Sequence, residues 1–155
     1  MAELTHLDDE GRAHMVDVGA KEATQRVAVA EAHLAMSAAA REALFAGTLP
    51  KGDALAVARI AAIQGAKSTS TLVPLCHPIG IDSISADVEP TATGARVVVT
   101  ASVTAKTGIE MEAITGAAVG AIALYDMIKA VDRGAVIGPI QLISKTGGKS
   151  GDWVR

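Results

Sequence analysis

From Glu110 to Arg133 the chain carries its longest helical pattern, closed by Gly134, and almost nothing in it is large. Between Ala113 and Ala130 the only charged residues are Asp126 and Lys129, and the middle reads Gly116-Ala117-Ala118-Val119-Gly120-Ala121. Such a helix has few bulky side chains with which to fill a core, so it needs another backbone close to it. Small residues four apart permit that approach, a device best known from membrane helices. Here Asp126, Lys129 and the Ala/Gly content leave the segment short of a continuous membrane span. Two partners are open to the small-residue stripe: the sheet of the same chain, or the same helix in a second copy.

The rest of the chain shares this trait. Half of its 155 residues are apolar, yet Phe45, Tyr125 and Trp153 are the only aromatics, beside 31 alanines and 15 glycines. Aromatic platforms for stacking bases are therefore scarce. A net charge of −3 and a pI near 5.8 weigh against broad binding to a phosphate backbone. No nucleic-acid partner is expected. The length suits one domain with a sizeable core. The acidic N-terminus lacks the apolar stretch of a signal peptide, and the single Cys76 excludes an internal disulfide and a multi-cysteine metal site. A cytoplasmic chain, neither exported nor membrane-embedded, is the expectation. Residues 1–13, polar and without hydrophobic period, are expected to form a flexible arm before a single domain, 14–155, that ends in a Gly/Lys-rich tail.

Local patterns sketch the fold. Thr24 to Met36 fits two periods. Its alanines favour helix, but Val27, Val29, Glu31 and His33 alternating with Ala28, Ala30, Ala32 and Leu34 fit the two faces of a strand. Ser37 as N-cap and Gly47 just past the end bracket a helix over 38–46, and a fresh start at Ser37 favours strand before it. Pro50-Lys51-Gly52-Asp53 breaks the chain ahead of a second helix from Ala54 to about Ala66. Pro74 and Pro78 hold Leu75-Cys76-His77 extended or turned. Segments 79–89 and 95–105 alternate and are rich in Val, Ile, Ser and Thr, so with a turn at Pro90 to Gly94 they read as a hairpin. Val136 to Ser144 is a last strand, interrupted by Gly138-Pro139. Strand, helices, strand, strand, helix, strand is an α+β order. It fits a ferredoxin-like βαββαβ arrangement, one antiparallel sheet with helices packed on one face.

Polar residues in low-charge surroundings carry the chemical signal, because an unpaired buried charge is costly. Four places qualify: Lys51 at its Pro/Gly turn, His77 between its prolines, Glu110 and Glu112 at the start of the long helix, and Asp126 with Lys129 near its end. Asp126 and Lys129, three apart, share a helical face. They are either a surface ion pair or a lysine tuned for acid/base work. Glu112 and Asp126 lie within about 40° of one face but roughly 21 Å apart along the axis, so they do not meet in one chain. They meet if two copies pack antiparallel with their crossing at Val119, giving a shared site. His77 has no second histidine at ligand spacing and no CxxC accompanies Cys76, so no metal is expected. It is a turn histidine or a substrate-binding one. Lys145-Thr146-Gly147-Gly148-Lys149-Ser150 resembles the end of a P-loop, but Ile143 stands where the first glycine belongs and five residues follow Ser150, too few for the helix. A tail of this kind either frays or closes over an anion.

Five motifs in order then resemble one family. Leu49-Pro50-Lys51-Gly52-Asp53, Leu75-Cys76-His77-Pro78, Thr107-Gly108-Ile109-Glu110-Met111-Glu112-Ala113, Tyr125-Asp126-Met127-Ile128-Lys129-Ala130 and Gly147-Gly148-Lys149-Ser150-Gly151 are similar to those of the cyclic pyranopterin monophosphate synthases of molybdenum cofactor biosynthesis. Met15-Val16-Asp17-Val18 extends the match to nearly the whole chain beyond the first dozen residues. Ser68 stands where an arginine commonly follows the lysine at Lys67, and Ile128 where cysteine is common. The resemblance implies a ferredoxin-like fold, a hexamer of three dimers and a site near the dimer interface. It implies conversion of 3′,8-cyclo-7,8-dihydroguanosine 5′-triphosphate to cyclic pyranopterin monophosphate with release of diphosphate. It assigns Leu75, Cys76, His77, Met111 and Glu112 to substrate contact and Asp126 to catalysis, with Lys51, Glu110 and Lys129 as further members of the site. The chemistry fits. Rebuilding a guanine-derived ring as a pterin moves protons, a task for Lys51 and Lys129 held by Asp126. Departing diphosphate needs cations, for which Lys51, Lys67 and Lys145 are candidates, with Arg26 and Lys149 in support. No cofactor is expected, and no obvious cage for a divalent metal exists in the sequence. The rival readings are a non-catalytic ligand-binding module and a purely structural oligomer.

Overall fold

Strand β1 (Thr24–Ala35) settles the ambiguous alternation in a computed structural model that describes residues 10–155. The first nine positions of the expected arm lie outside the described residues. Alternation prevails over alanine's helix propensity because both edges of β1 are taken. Strand β3 (Gly94–Ala105) pairs with it from Thr24↔Ala105 to Ala35↔Gly94, and β4 (Val136–Thr146) pairs on the other side. Ala28, Ala30, Ala32 and Leu34 then face the core, each at most 1% exposed. Their small size lets a helix close on the strand.

Helix α1 (Ala38–Ala46) has the predicted limits. Ser37 Oγ accepts from the Ala40 N–H at 3.3 Å, and Gly47 ends the helix at φ 70°. Helix α2 (Ala54–Lys67) is capped by Asp53, whose carboxylate accepts from the Ala56 N–H at 2.9 Å. A single turn, α3 (Thr69–Leu72), follows it and was not expected. Strand β2 (Ser83–Thr91) starts later than the predicted 79, and Pro90 and Thr91 pair with Ala95 and Gly94, so only Ala92-Thr93 remain as the turn.

Helix α4 (Glu110–Ile128) stops short of the predicted Arg133. The N–H groups of Val131 and Asp132 turn back to the Ile128 carbonyl, and the Asp132 carboxylate accepts from the N–H of Ser37 at 2.7 Å and of Gly134 at 2.9 Å. The chain leaves the helix to tie its end to the start of α1. Strand β4 runs through Gly138-Pro139, a cis peptide, where one of its two register shifts against β1 falls; the other falls at Ile143. The tail returns as β5 (Trp153–Val154) on the outer edge of β4.

The result is α+β: one open antiparallel sheet in the order β2-β3-β1-β4-β5, with α4 across β1 and β3 and α2 alongside α4. The small-residue stripe is used inside the chain. A Cβ on Gly120 would come within 2.8 Å of Val97 Cγ1 and 3.0 Å of Ala62 Cβ, and one on Gly65 within 2.6 Å of Val119 Cβ. Gly116 and Gly120 thus serve α2 and the sheet, and are not left for a second copy. By length and composition α4 qualifies as a membrane span, with mean hydropathy 1.4, but more than half of it is buried in this fold. Its outward residues are Met111, Thr115, Ala118, Ile122 and Asp126, with Ile122 57% exposed.

On the face of the sheet away from the helices, Glu31 is 6% exposed and fully engaged. Its carboxylate accepts from His33 Nε2 at 2.9 Å, Arg96 Nη1 at 3.0 Å and Gln141 Nε2 at 2.8 Å. Burial alone would raise its pKa, but these hydrogen bonds and cations outweigh burial and hold it below the ordinary value.

Candidate active site

Helix α4 carries a polar group at each end, and each end meets a different part of the fold. At the N-terminal end, the proline-bounded loop brings Leu75, Cys76 and His77 beside Glu110, Met111 and Glu112 of the first helical turn. They line a cleft of about 380 Å³ that Val16, Val18 and Lys21 complete from the N-terminal segment. His77 Nε2 lies 2.9 Å from the Val16 carbonyl. A carbonyl only accepts, so Nε2 carries the proton and donates, and in the neutral ring Nδ1 is the acceptor. Glu112 is 4% exposed. Burial pushes its carboxyl pKa up, and the neighbouring Glu110 adds to the rise. Burial likewise raises the Cys76 thiol, reinforced by Glu112. A carboxyl so shifted is suited to giving or taking a proton.

A second cleft of about 710 Å³ continues from the first, sharing Lys21, Thr107 and Gly108 with it. Lys21, Arg26, Lys106 and Lys149 line it against one carboxylate, Glu22. Arg26 Nε donates to the Ala105 carbonyl at 3.1 Å and Lys106 Nζ to the Gly19 carbonyl at 2.6 Å, so two of these cations are fixed by backbone. Gly148 lies at φ 80°, a left-handed backbone that favours glycine, with the Arg26 guanidinium packed against it. Lys145 stands between the clefts. Its ammonium is 3.9 Å from Glu110 Oε1 and donates to Ser150 Oγ. Such a cluster favours a polyanion.

The other end of α4 holds Asp126. Its carboxylate takes Lys129 Nζ on Oδ1 at 2.7 Å and Lys51 Nζ on Oδ2 at 2.6 Å, and Lys51 also donates to the Asp126 carbonyl at 3.0 Å. The Lys129 hydrogen bond, then that of Lys51, bring the Asp126 pKa down from 3.8 to about 2. All three side chains are 40–52% exposed, so the group faces outward.

One chain therefore assembles Leu75, Cys76, His77, Glu110, Met111, Glu112 and Lys145 at one end, and Lys51, Asp126 and Lys129 at the other. Lys67 joins neither group. It lines a separate groove with Ile63, Ile81 and Asp82. Sequence reasoning missed Lys21, Lys106, Val16 and Val18 as cleft residues. The signal available was adjacency, since Lys106 precedes Thr107-Gly108 and Lys21 follows Met15-Val16-Asp17-Val18 closely. Ser68 caps α2 through backbone contacts, and Ile128 is fully buried, so neither departure from the family pattern enters a cleft. Among the described residues no three His, Cys, Asp or Glu side chains gather as a metal cage.

Residues 15–148 match the model of the MoaC family. Relatives bearing the name cyclic pyranopterin monophosphate synthase include one from Corynebacterium glutamicum (strain R), 51% identical over 153 residues, which cover 99% of this chain and 98% of that protein. One from Herpetosiphon aurantiacus is 52% identical over 152 residues, 97% of this chain and 93% of the relative. One from Novosphingobium aromaticivorans is 48% identical over 153 residues, 99% and 98% of the two chains. The matched span begins beside the first cleft and ends at Gly148 in the second, and on that span and identity the chain belongs to the MoaC family.

Proposed function

We propose that this chain is a cyclic pyranopterin monophosphate synthase of molybdenum cofactor biosynthesis, acting in the cytoplasm on 3′,8-cyclo-7,8-dihydroguanosine 5′-triphosphate and releasing diphosphate. The observation that carries the reading is the pair of continuous clefts, one with a buried carboxyl and a histidine, the next lined by four cations. The ring system lies in the first, against Leu75, Cys76, His77, Met111 and Glu112, and the triphosphate in the second, where Arg26, Lys145 and Lys149 with Lys21 offset the charge that develops on departing diphosphate. Few aromatics are needed for this. The ring is held by polar groups and by Met111 as an apolar contact.

The acid/base lysines come from a second copy. With the Gly116–Gly120 stripe occupied, two α4 helices meet antiparallel along Met111, Thr115, Ala118 and Ile122. The crossing falls at Ala118, beside the expected Val119. Lys51, Asp126 and Lys129 of one chain then stand at the first cleft of the other. Asp126, ionised and bridged by both ammoniums, sets their positions, and the lysines exchange protons with the rearranging ring. Three such dimers make the hexamer, each subunit keeping a ferredoxin-like core as a single catalytic domain, 14–155. Lys67 enters the site only through this assembly.

Incubation of the purified protein with the cyclised nucleotide triphosphate tests the reading. Stoichiometric diphosphate and a pterin product are expected. Binding without diphosphate makes the chain a ligand-binding module, and absence of binding makes it a structural oligomer.

A further inference from the structure

Residues 16–21 have no regular secondary structure, yet Val16 and Val18 wall the first cleft and Lys21 lines both. Two donors from distant parts of the chain hold this segment. His77 Nε2 donates to the Val16 carbonyl at 2.9 Å, and Lys106 Nζ donates to the Gly19 carbonyl at 2.6 Å. Between them the chain is bent locally. Asp17 Oδ1 accepts from the Gly19 N–H at 2.7 Å, and the Val18 carbonyl accepts from the Lys21 N–H at 3.1 Å.

We infer that residues 16–21 are a strap across the cleft, latched at one end by His77 and at the other by Lys106, and that Lys106 is a positioning residue for the proposed reaction. Its ammonium fixes Gly19, and through Gly19 it sets Val18 against the ring and Lys21 between the ring and the anion. A charged donor on a carbonyl is among the stronger hydrogen bonds. An exposed segment without secondary structure otherwise opens at low free-energy cost. Lys106 also begins the turn that leads into Glu110 and Glu112, so the strap is tied to the same turn that carries the carboxylates. Only the kinetic part of this inference rests on the proposed reaction.

The test compares the full-length native protein with Lys106→Met and Lys106→Arg, since Lys106 is exposed and its replacement leaves the core untouched. Amide hydrogen exchange is measured without ligand. Lys106→Met is expected to speed exchange across residues 17–21 about tenfold with α2 and β3 unchanged, and Lys106→Arg to restore protection. In turnover, Lys106→Met is expected to raise KM about tenfold with kcat within about twofold, again rescued by arginine. Unchanged exchange at 17–21 in Lys106→Met overturns the strap, and does so most plainly if inorganic diphosphate binding is lost at the same time, which makes Lys106 a direct anion contact. Faster exchange together with a native protein that has no turnover keeps the strap and refutes the reaction instead.

Discussion

Replacing Gly120 with alanine sets two effects against each other. Alanine is better than glycine inside a helix by about 1 kcal/mol. Against this, the added Cβ meets Val97 Cγ1 at 2.8 Å, Ala62 Cβ at 3.0 Å and the Ala58 carbonyl at 3.3 Å. Comfortable carbon contacts begin at about 3.5 Å, so neighbours on two sides must withdraw by roughly half an ångström or more. Neither has room. Val97 and Ala62 are both 0% exposed, one in a strand paired on both edges and the other in α2. Overpacking of this kind costs about 1–3 kcal/mol. The net expectation is a loss of about 1 kcal/mol, a fall of about 2–4 °C in Tm at fixed protein concentration. Urea and thermal unfolding followed by circular dichroism measure it, with an unchanged m-value as the check that only stability moved. Adding Val97→Ala removes the nearest atom, and the double-mutant cycle is expected to show coupling of about 1 kcal/mol. A rise in Tm for Gly120→Ala alone refutes the claim that close approach to α2 and β3 fixes α4.

Two more predictions concern charge. Arg96→Met removes one partner of the buried Glu31 and is expected to cost about 2 kcal/mol at neutral pH. Because the folded pKa of Glu31 is lowered from 4.5, its stabilising contribution is present above the unfolded value and is lost as pH falls through the folded one, so native and variant urea midpoints should converge in acid. Near the C-terminal end of α4, Asp126 with a pKa of about 2 stays ionised from about pH 4 upward. Asp126→Asn is expected to lower kcat about a hundredfold without moving the acid limb of the pH–rate profile, which steady-state diphosphate release measures.

Much of this fold was legible where a residue acts locally. Ser37 and Gly47 mark α1 because a cap and a left-handed glycine work through the nearest turn. Asp53 marks α2 in the same way. Where tertiary contacts decide, the sequence is silent. The end of α4 depends on Asp132 reaching the Ser37 N–H from 95 residues away, and β5 exists only because β4 offers an edge. The stripe Gly116–Gly120 announced a close helix contact, but periodicity has no means of saying that α2, through Ala58, Ala62 and Gly65, would be the partner. The site divides along the same line. His77, Glu112, Asp126 and the lysines beside it stand out by chemistry and motif, whereas Lys21 and Lys106 become cleft residues only when the N-terminal segment folds over the loop that carries His77.

Lys51, Asp126 and Lys129 face outward at one end of α4 while Glu112 and His77 line the cleft at the other, so under the proposed function a complete site requires two chains. Mixing equal amounts of Asp126→Ala and Glu112→Gln chains under conditions that exchange subunits, then measuring diphosphate release, tests this requirement. Random pairing makes half the dimers mixed, and each mixed dimer has one site with both lesions and one with neither. Activity is therefore predicted to return to about one quarter of the native value from two nearly inactive parents. Activity no greater than the average of the parents, with exchange of subunits verified, would contradict a shared site.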